Sequence, residues 1–89
     1  MSKTNRISLI DVETTGLDSE KHEILEIGLV IFEGINPYKI LHTHNVKVCP
    51  EHIETAQKQA LEVNGYTPQD WKDSVSLVTA LNQIGRAHV

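Results

Sequence analysis

The sequence has a single cysteine, Cys49, which excludes an internal disulfide and suits a reducing compartment. It lacks an excess of positive charge: eight Lys and Arg stand against twelve Asp and Glu, a formal net charge of -4. Bulk electrostatics therefore do not advertise a nucleic-acid surface, although a bound divalent metal can reverse the field locally. No apolar run is long enough to cross a membrane, and the opening MSKTNR lacks the apolar core of a secretory signal. These absences read as a cytoplasmic protein. There is no internal repeat and no low-complexity segment. With 89 residues, 39% hydrophobic and 22% charged, the chain holds at most one small domain with a limited core.

What is present divides into two periodicities. RISLID (residues 6–11) reads as a strand of β-branched and aliphatic residues, and residues 12–22 read as a loop. HEILEIGLVIFEG is apolar on both alternation sets. One set is Leu25, Ile27, Leu29 and Ile31; the other is Ile24, Gly28, Val30 and Phe32, broken by Glu26. Such a strand belongs inside a sheet covered on both sides. GINP is turn chemistry, and YKILHTHNVKVCP reads as a third strand, more mixed and nearer a sheet edge. Short connections make a β-meander.

Helical spacing follows, with Ala56, Ala60, Leu61 and Val63 ending at Asn64-Gly65 in the position of a C-cap. TPQDW supplies a cap, Thr67, with Pro68 first in a helix and Asp70 as capping-box acid. SVSLVTALNQI places Val75, Leu77, Val78 and Leu81 on one helical face. Three strands and short helices offer little cover for a doubly apolar strand, so the pattern reads as the front part of a larger α/β domain.

The tail IGRAHV has a different origin in this reading. Residues 84–89 can be encoded ATC GGA AGA GCA CAC GTC, the start of a common short-read sequencing adapter whose next codon is a stop. The adapter's leading AG fits a CAG codon for Gln83. Residues 1–82 are therefore read as the N-terminal part of a domain and 83–89 as adapter read-through, to be kept out of site reasoning; a natural C-terminus rich in small and basic residues is the alternative.

The chemistry lies in IDVETTGLD. Residues two apart on a strand point to the same face, so Asp11 and Glu13 converge at the strand's end. Two crowded carboxylates repel, and a hard divalent cation removes that cost. Mg²⁺ or Mn²⁺ keeps positions for water and phosphate, and a pair of such ions can activate water against a phosphodiester. The spacing D-x-E alone is weak evidence, and taken alone it reads first as a solvated pair of acids at a strand end.

The context adds to this. DVETTGLD followed by EILEIGLVIFEG resembles the first motif of the DEDD superfamily of 3′–5′ exonucleases, which includes proofreading exonucleases, ribonuclease T and oligoribonuclease. The resemblance runs on more loosely through PEHIETAQKQALEVNGYTPQDW. It implies an α/β, ribonuclease H-like fold, here truncated to a three-stranded antiparallel meander followed by short helices. By position, Asp11 and Glu13 would be catalytic metal ligands for two Mg²⁺ or Mn²⁺ ions in the intact enzyme. Thr14, Thr15 and Gly16 would form the turn beneath a 3′-terminal nucleotide, and Leu17 would pack on its base. Ala60, Leu61 and Asn64 would be the second wall of that pocket. The implied reaction is hydrolysis of terminal phosphodiesters of single-stranded DNA or RNA 3′ ends to nucleoside 5′-monophosphates.

Bland roles stand beside these. Thr14 to Leu17 could be a tight turn only, Asn64-Gly65 a helix cap, and Leu17 and Leu61 ordinary core. Glu26 reads as a structural carboxylate that hydrogen-bonds backbone, rather than as a third ligand. His42 and His44 share a face with no third ligand beside them. His22 and His52 read as solvated, and Trp71 as a packing anchor. The family also needs a second-motif Asp within an hN-x-x-FD stretch, and a third motif with a His or Tyr base and the last Asp; none is present, and Asp70 and Asp73 do not match them. The chain alone is expected to be inactive. A non-catalytic module binding nucleic acid or protein, and an unrelated small α/β domain, are the alternatives.

Overall fold

Residues 5–34 and 37–88 are described in the computed structural model. Runs of β-branched and aliphatic residues form three strands: β1 (Arg6–Thr14), β2 (Ile24–Glu33) and β3 (Lys39–Lys47). They pair antiparallel in the order β1-β2-β3, the meander expected from the short connections. β1 extends beyond Asp11 because Val12 and Glu13 stay in register opposite Ile27 and Glu26, with an irregularity only at Glu13/Thr14. Of the expected GINP turn, Gly34 has φ +90, while positions 35 and 36 lie outside the described residues.

The two alternation sets of β2 meet different fates. Leu25, Ile27, Leu29 and Ile31 are buried, while Ile24, Gly28, Val30 and Phe32 are half-buried. The cause is one-sided cover. Helix α2 (Leu77–His88) packs Ala80 and Ile84 against Ile27, Leu29, Ile31, Val46 and Val48, and these residues form the core. Full burial of one such aliphatic side chain contributes about 2 kcal/mol of transfer free energy. The cover on both faces expected from the doubly apolar pattern is present on one face within the described residues.

Helix α2 departs from expectation in its face. Val75 is not helical: its N–H donates to the Lys47 carbonyl at 3.1 Å and its carbonyl accepts from Cys49 N–H at 2.7 Å, a parallel bridge beside Val48. Ser76 then caps the helix, its hydroxyl accepting the Thr79 N–H at 3.2 Å. This start turns Ala80, Ile84 and Ala87 to the sheet. The anticipated stripe of Leu77, Val78 and Leu81 faces outward, Val78 being 70% exposed. The helix also runs through the expected boundary at Asn82.

Between β3 and α2 lie a 3-10 turn (Ile53–Thr55) and helix α1 (Lys58–Val63). The Pro68-led helix reduces to a turn. Thr67 does cap it, its hydroxyl accepting the Asp70 N–H at 3.0 Å. The turn ends where Trp71 is drawn into the interior, its indole N–H donating to the Leu25 carbonyl at 3.0 Å. Lys47 places its ammonium 5.0 Å from the centre of the same ring. Trp71 is thus the packing anchor the sequence suggested. The radius of gyration, 15.4 Å, exceeds the about 12 Å of a compact chain of this length, in keeping with sheet surface left open.

Candidate active site

β1 carries Asp11 and Glu13 on the face opposite to α2. In cross-strand register, Asp11 stands beside Gly28 and then Asn45, while Glu13 stands beside Glu26 and then Lys47. Gly28 gives Asp11 room: a shallow hollow there is flanked by Leu9, Asp11, Val30, Thr43 and Asn45. A Cβ at Gly28 would meet Asn45 Oδ1 at 3.2 Å, so a larger residue would crowd this floor.

Glu13 directly opposes Glu26, a like-charge pair that destabilises an antiparallel sheet. Glu26 is engaged from its other side, its carboxylate accepting a hydrogen bond from the Asn45 side-chain amide. It therefore bonds a side chain of β3 and not the backbone. Among the described residues, the ion pair is His52 with Glu54 at 3.3 Å, and neither Asp11 nor Glu13 has a cationic partner. Away from the site, the Glu54 carboxyl is held below its ordinary value by its own backbone amide and then by His52.

The turn after β1 is built by its two threonines. The Thr14 hydroxyl donates to the Gly16 carbonyl at 2.7 Å. Thr15 is fully buried; its N–H donates to the Glu23 carbonyl at 2.9 Å and its hydroxyl accepts the Glu23 N–H at 2.9 Å. Leu17, at 95% exposure, projects freely. Helix α1 docks on this turn through two bonds. Gln57 N–H donates to the Thr15 carbonyl at 2.7 Å, and the Asn64 side-chain amide donates to the Thr14 carbonyl at 2.8 Å. Asn64 is also the C-cap residue, followed by Gly65 at φ +66. The N–H groups of Gly65 and Tyr66 then close on the carbonyls of Glu62 and Leu61, a Schellman ending. Asn64 therefore both ends a helix and ties it to the turn.

The residues singled out in the sequence thus collect at one end of β1, in two groups. Thr14, Gly16 and Leu17 line a cleft of about 1240 Å³ that reaches Ser76 and Leu77 at the start of α2. Asp11 and Glu13 lie on the other side of β1, and half-buried Ala60 and Leu61 stand on α1. Sequence reasoning missed two residues. His22, read as solvated, packs its ring over Gly16 and bonds at both nitrogens. Glu23 accepts the N–H groups of Glu51 and His52 at 2.7 and 2.8 Å. The Thr55 partner of His22 and the Glu51 and His52 partners of Glu23 lie about thirty positions along the chain, beyond the reach of local pattern.

Two carboxylates on one strand face, Asp11 exposed and Glu13 half-buried, suit a hard divalent ion in donor type. They are a partial set in number: among the described residues, no three His, Cys, Asp or Glu side chains group to hold a metal. The third acid of that face, Glu26, is bound to Asn45. Asp11 and Glu13 would hold one side of such an ion.

An acid-bearing antiparallel meander followed by short helices is the opening of the ribonuclease H-like nuclease fold, and the comparisons agree. The sequence matches the RNase T exonuclease family over residues 8–87, and the chain belongs to that family. Its fold is similar to the crystal structure of cell-death related nuclease 4 (CRN-4), with a TM-score of 0.70 and 18% identity over 91% of this chain. The match covers 29% of that nuclease, so the chain spans less than a third of its length. A search of curated proteins finds no match.

Proposed function

We propose that the parent of this chain is a metal-dependent 3′–5′ exonuclease acting on single-stranded nucleic acid. The observation that carries the reading is the pair Asp11 and Glu13, unpaired on one face of β1 and next to a turn braced by α1, in a chain of the exonuclease family. Burying or crowding two acids has no benefit for a passive strand end, whereas a divalent ion removes their repulsion. When bound, Mg²⁺ or Mn²⁺ supplies activated water and neutralises charge on the phosphate. Asp11 and Glu13 hold the ion from the β1 side. The turn 14–17 seats the 3′-terminal sugar and phosphate, Leu17 meets the terminal base, and Ala60, Leu61 and Asn64 form the facing wall. The product is a nucleoside 5′-monophosphate.

The chain itself is proposed to be inactive, because two acids without a general base leave water activation incomplete. Purified chain with Mn²⁺ and a labelled single-stranded oligonucleotide should release no more product than its Glu13→Ala variant. Clear turnover above that control sinks the inactivity. For the parent, the complete open reading frame should shorten the oligonucleotide from its 3′ end and lose activity in Asp11→Ala. Internal cleavage, or release of 3′-monophosphates, would overturn the assignment.

Two further readings stand with this proposal. A cytoplasmic site of action fits the sequence, and among the described residues no helix is long and apolar enough to cross a membrane. Residues 83–89 are read as adapter-encoded. Gly85 supports this, since it occupies the interior of α2 with nothing within 4 Å of where a Cβ would stand. Ile84 packs because it lies one helical turn beyond buried Ala80, a place any aliphatic residue would fill. Different codons in the nucleotide record would remove the adapter origin.

A further inference from the structure

The turn 14–17 is braced by α1 on one side and by an imidazole on the other. His22 Nδ1 accepts the backbone N–H of Asp18 at 2.9 Å. That nitrogen must therefore carry a lone pair, which places the ring proton on Nε2. Nε2 in turn donates to the Thr55 carbonyl at 3.0 Å. The Thr55 hydroxyl reaches back to the Lys21 carbonyl at 3.0 Å, so the loop and the 3-10 turn hold each other. Beneath the ring lies Gly16, which is buried. A Cβ at Gly16 would run into the imidazole. The glycine is required for the space the ring occupies.

We propose that His22 is a positioning residue for the candidate nucleotide turn, its neutral imidazole fastening Asp18 and Gly16 to the segment after β3. This rests on the reading of turn 14–17 as the seat of the 3′-terminal nucleotide. The clip is sensitive to protonation. An imidazolium has two N–H donors and no acceptor, so its Nδ1–H would meet the Asp18 N–H donor to donor.

The charged and titratable groups around the ring are committed elsewhere. On its own loop, Asp18 accepts the Glu20 N–H with its carboxylate at 2.9 Å, and Glu23 accepts the amides of Glu51 and His52. Glu20 and Lys21 are exposed on the same loop. On the facing segment, Glu54 pairs with His52. Cys49 lines the same cleft. None of these side chains is bonded to the His22 ring.

The test is nitrogen-resolved NMR on the whole chain. His22 should show a proton on Nε2 and none on Nδ1, and the Asp18 amide should exchange about tenfold more slowly than in His22→Ala. Acidification should erase that protection. His22→Asn, whose amide oxygen can replace Nδ1 as acceptor, should keep part of it without the pH dependence. Gly16→Ala should shift the folding equilibrium roughly tenfold towards unfolded, and adding His22→Ala should recover most of that loss. A ring protonated on Nδ1, an Asp18 amide indifferent to His22, or strictly additive Gly16 and His22 effects would each overturn the clip.

A titration with Mg²⁺ and adenosine 5′-monophosphate separates this from the functional reading. Shifts in the amides of Thr14 to Leu17 that weaken in His22→Ala support the positioning role. An intact clip with no nucleotide response would overturn the positioning role in this chain while leaving the hydrogen bonds standing. A broken clip with the nucleotide response retained would overturn the His22 proposal alone.

Discussion

The two faces of β2 are one strand under two regimes. On the α2 side, Leu25, Ile27, Leu29 and Ile31 are sealed, and the contacts are aliphatic. On the other side, Val30 and Phe32 are only half-buried, and Glu26 and Gly28 lie between the acids of β1 and the polar residues of β3. The first face supplies stability. The second is less closely packed and holds a like-charge pair, Glu13 opposite Glu26. The α2 face carries a cost of its own: His44, level with Leu29, has a buried Nε2 with no hydrogen-bond partner among the described residues.

The sharpest way to break the comparison is to remove equivalent side chains from each face. Leu29→Ala, at a position 1% exposed, should cost about 3 kcal/mol. Leu9→Ala, at 60% exposure on the acid face, should cost less than about 1 kcal/mol. Urea denaturation followed by circular dichroism measures both, and equal losses would abolish the distinction. A smaller effect strengthens the covering helix: Gly85→Ala adds a methyl where nothing lies within 4 Å and should stabilise by about 0.8 kcal/mol, read as a raised midpoint. The smallest effect has the opposite meaning for function. Glu13→Gln relieves the repulsion from Glu26 and should stabilise the sheet by about 0.5 kcal/mol, while weakening whatever Mn²⁺ binding the chain has. A variant less stable than the parent would show that the acid pair is not a burden.

Strand order and the position of the acids could be read from sequence because both follow from local rules. Alternation identified the meander, and the two-residue repeat placed Asp11 and Glu13 on one face. Gly65 signalled the end of α1 and Trp71 its anchoring role. What could not be read depended on distant partners. The helical face of α2 was set by Val75 joining β3 as a bridge, which shifted the helix start to Leu77 and turned Val78 and Leu81 outward. The helix expected after Pro68 stopped where the indole of Trp71 found the Leu25 carbonyl. His22 and Glu23 looked like loop residues because their partners, from Glu51 to Thr55, belong to another segment.

β1 is one of the two outer strands of the sheet, and among the described residues its far side meets no other strand. The strand that carries the carboxylates is therefore one of the two edges at which a further strand could pair. Any strand added there becomes the immediate neighbour of Asp11 and Glu13. Pairing at that edge would extend the sheet and bring new side chains beside the acid pair in one step, whereas pairing at β3 would extend the sheet and leave the acids unchanged.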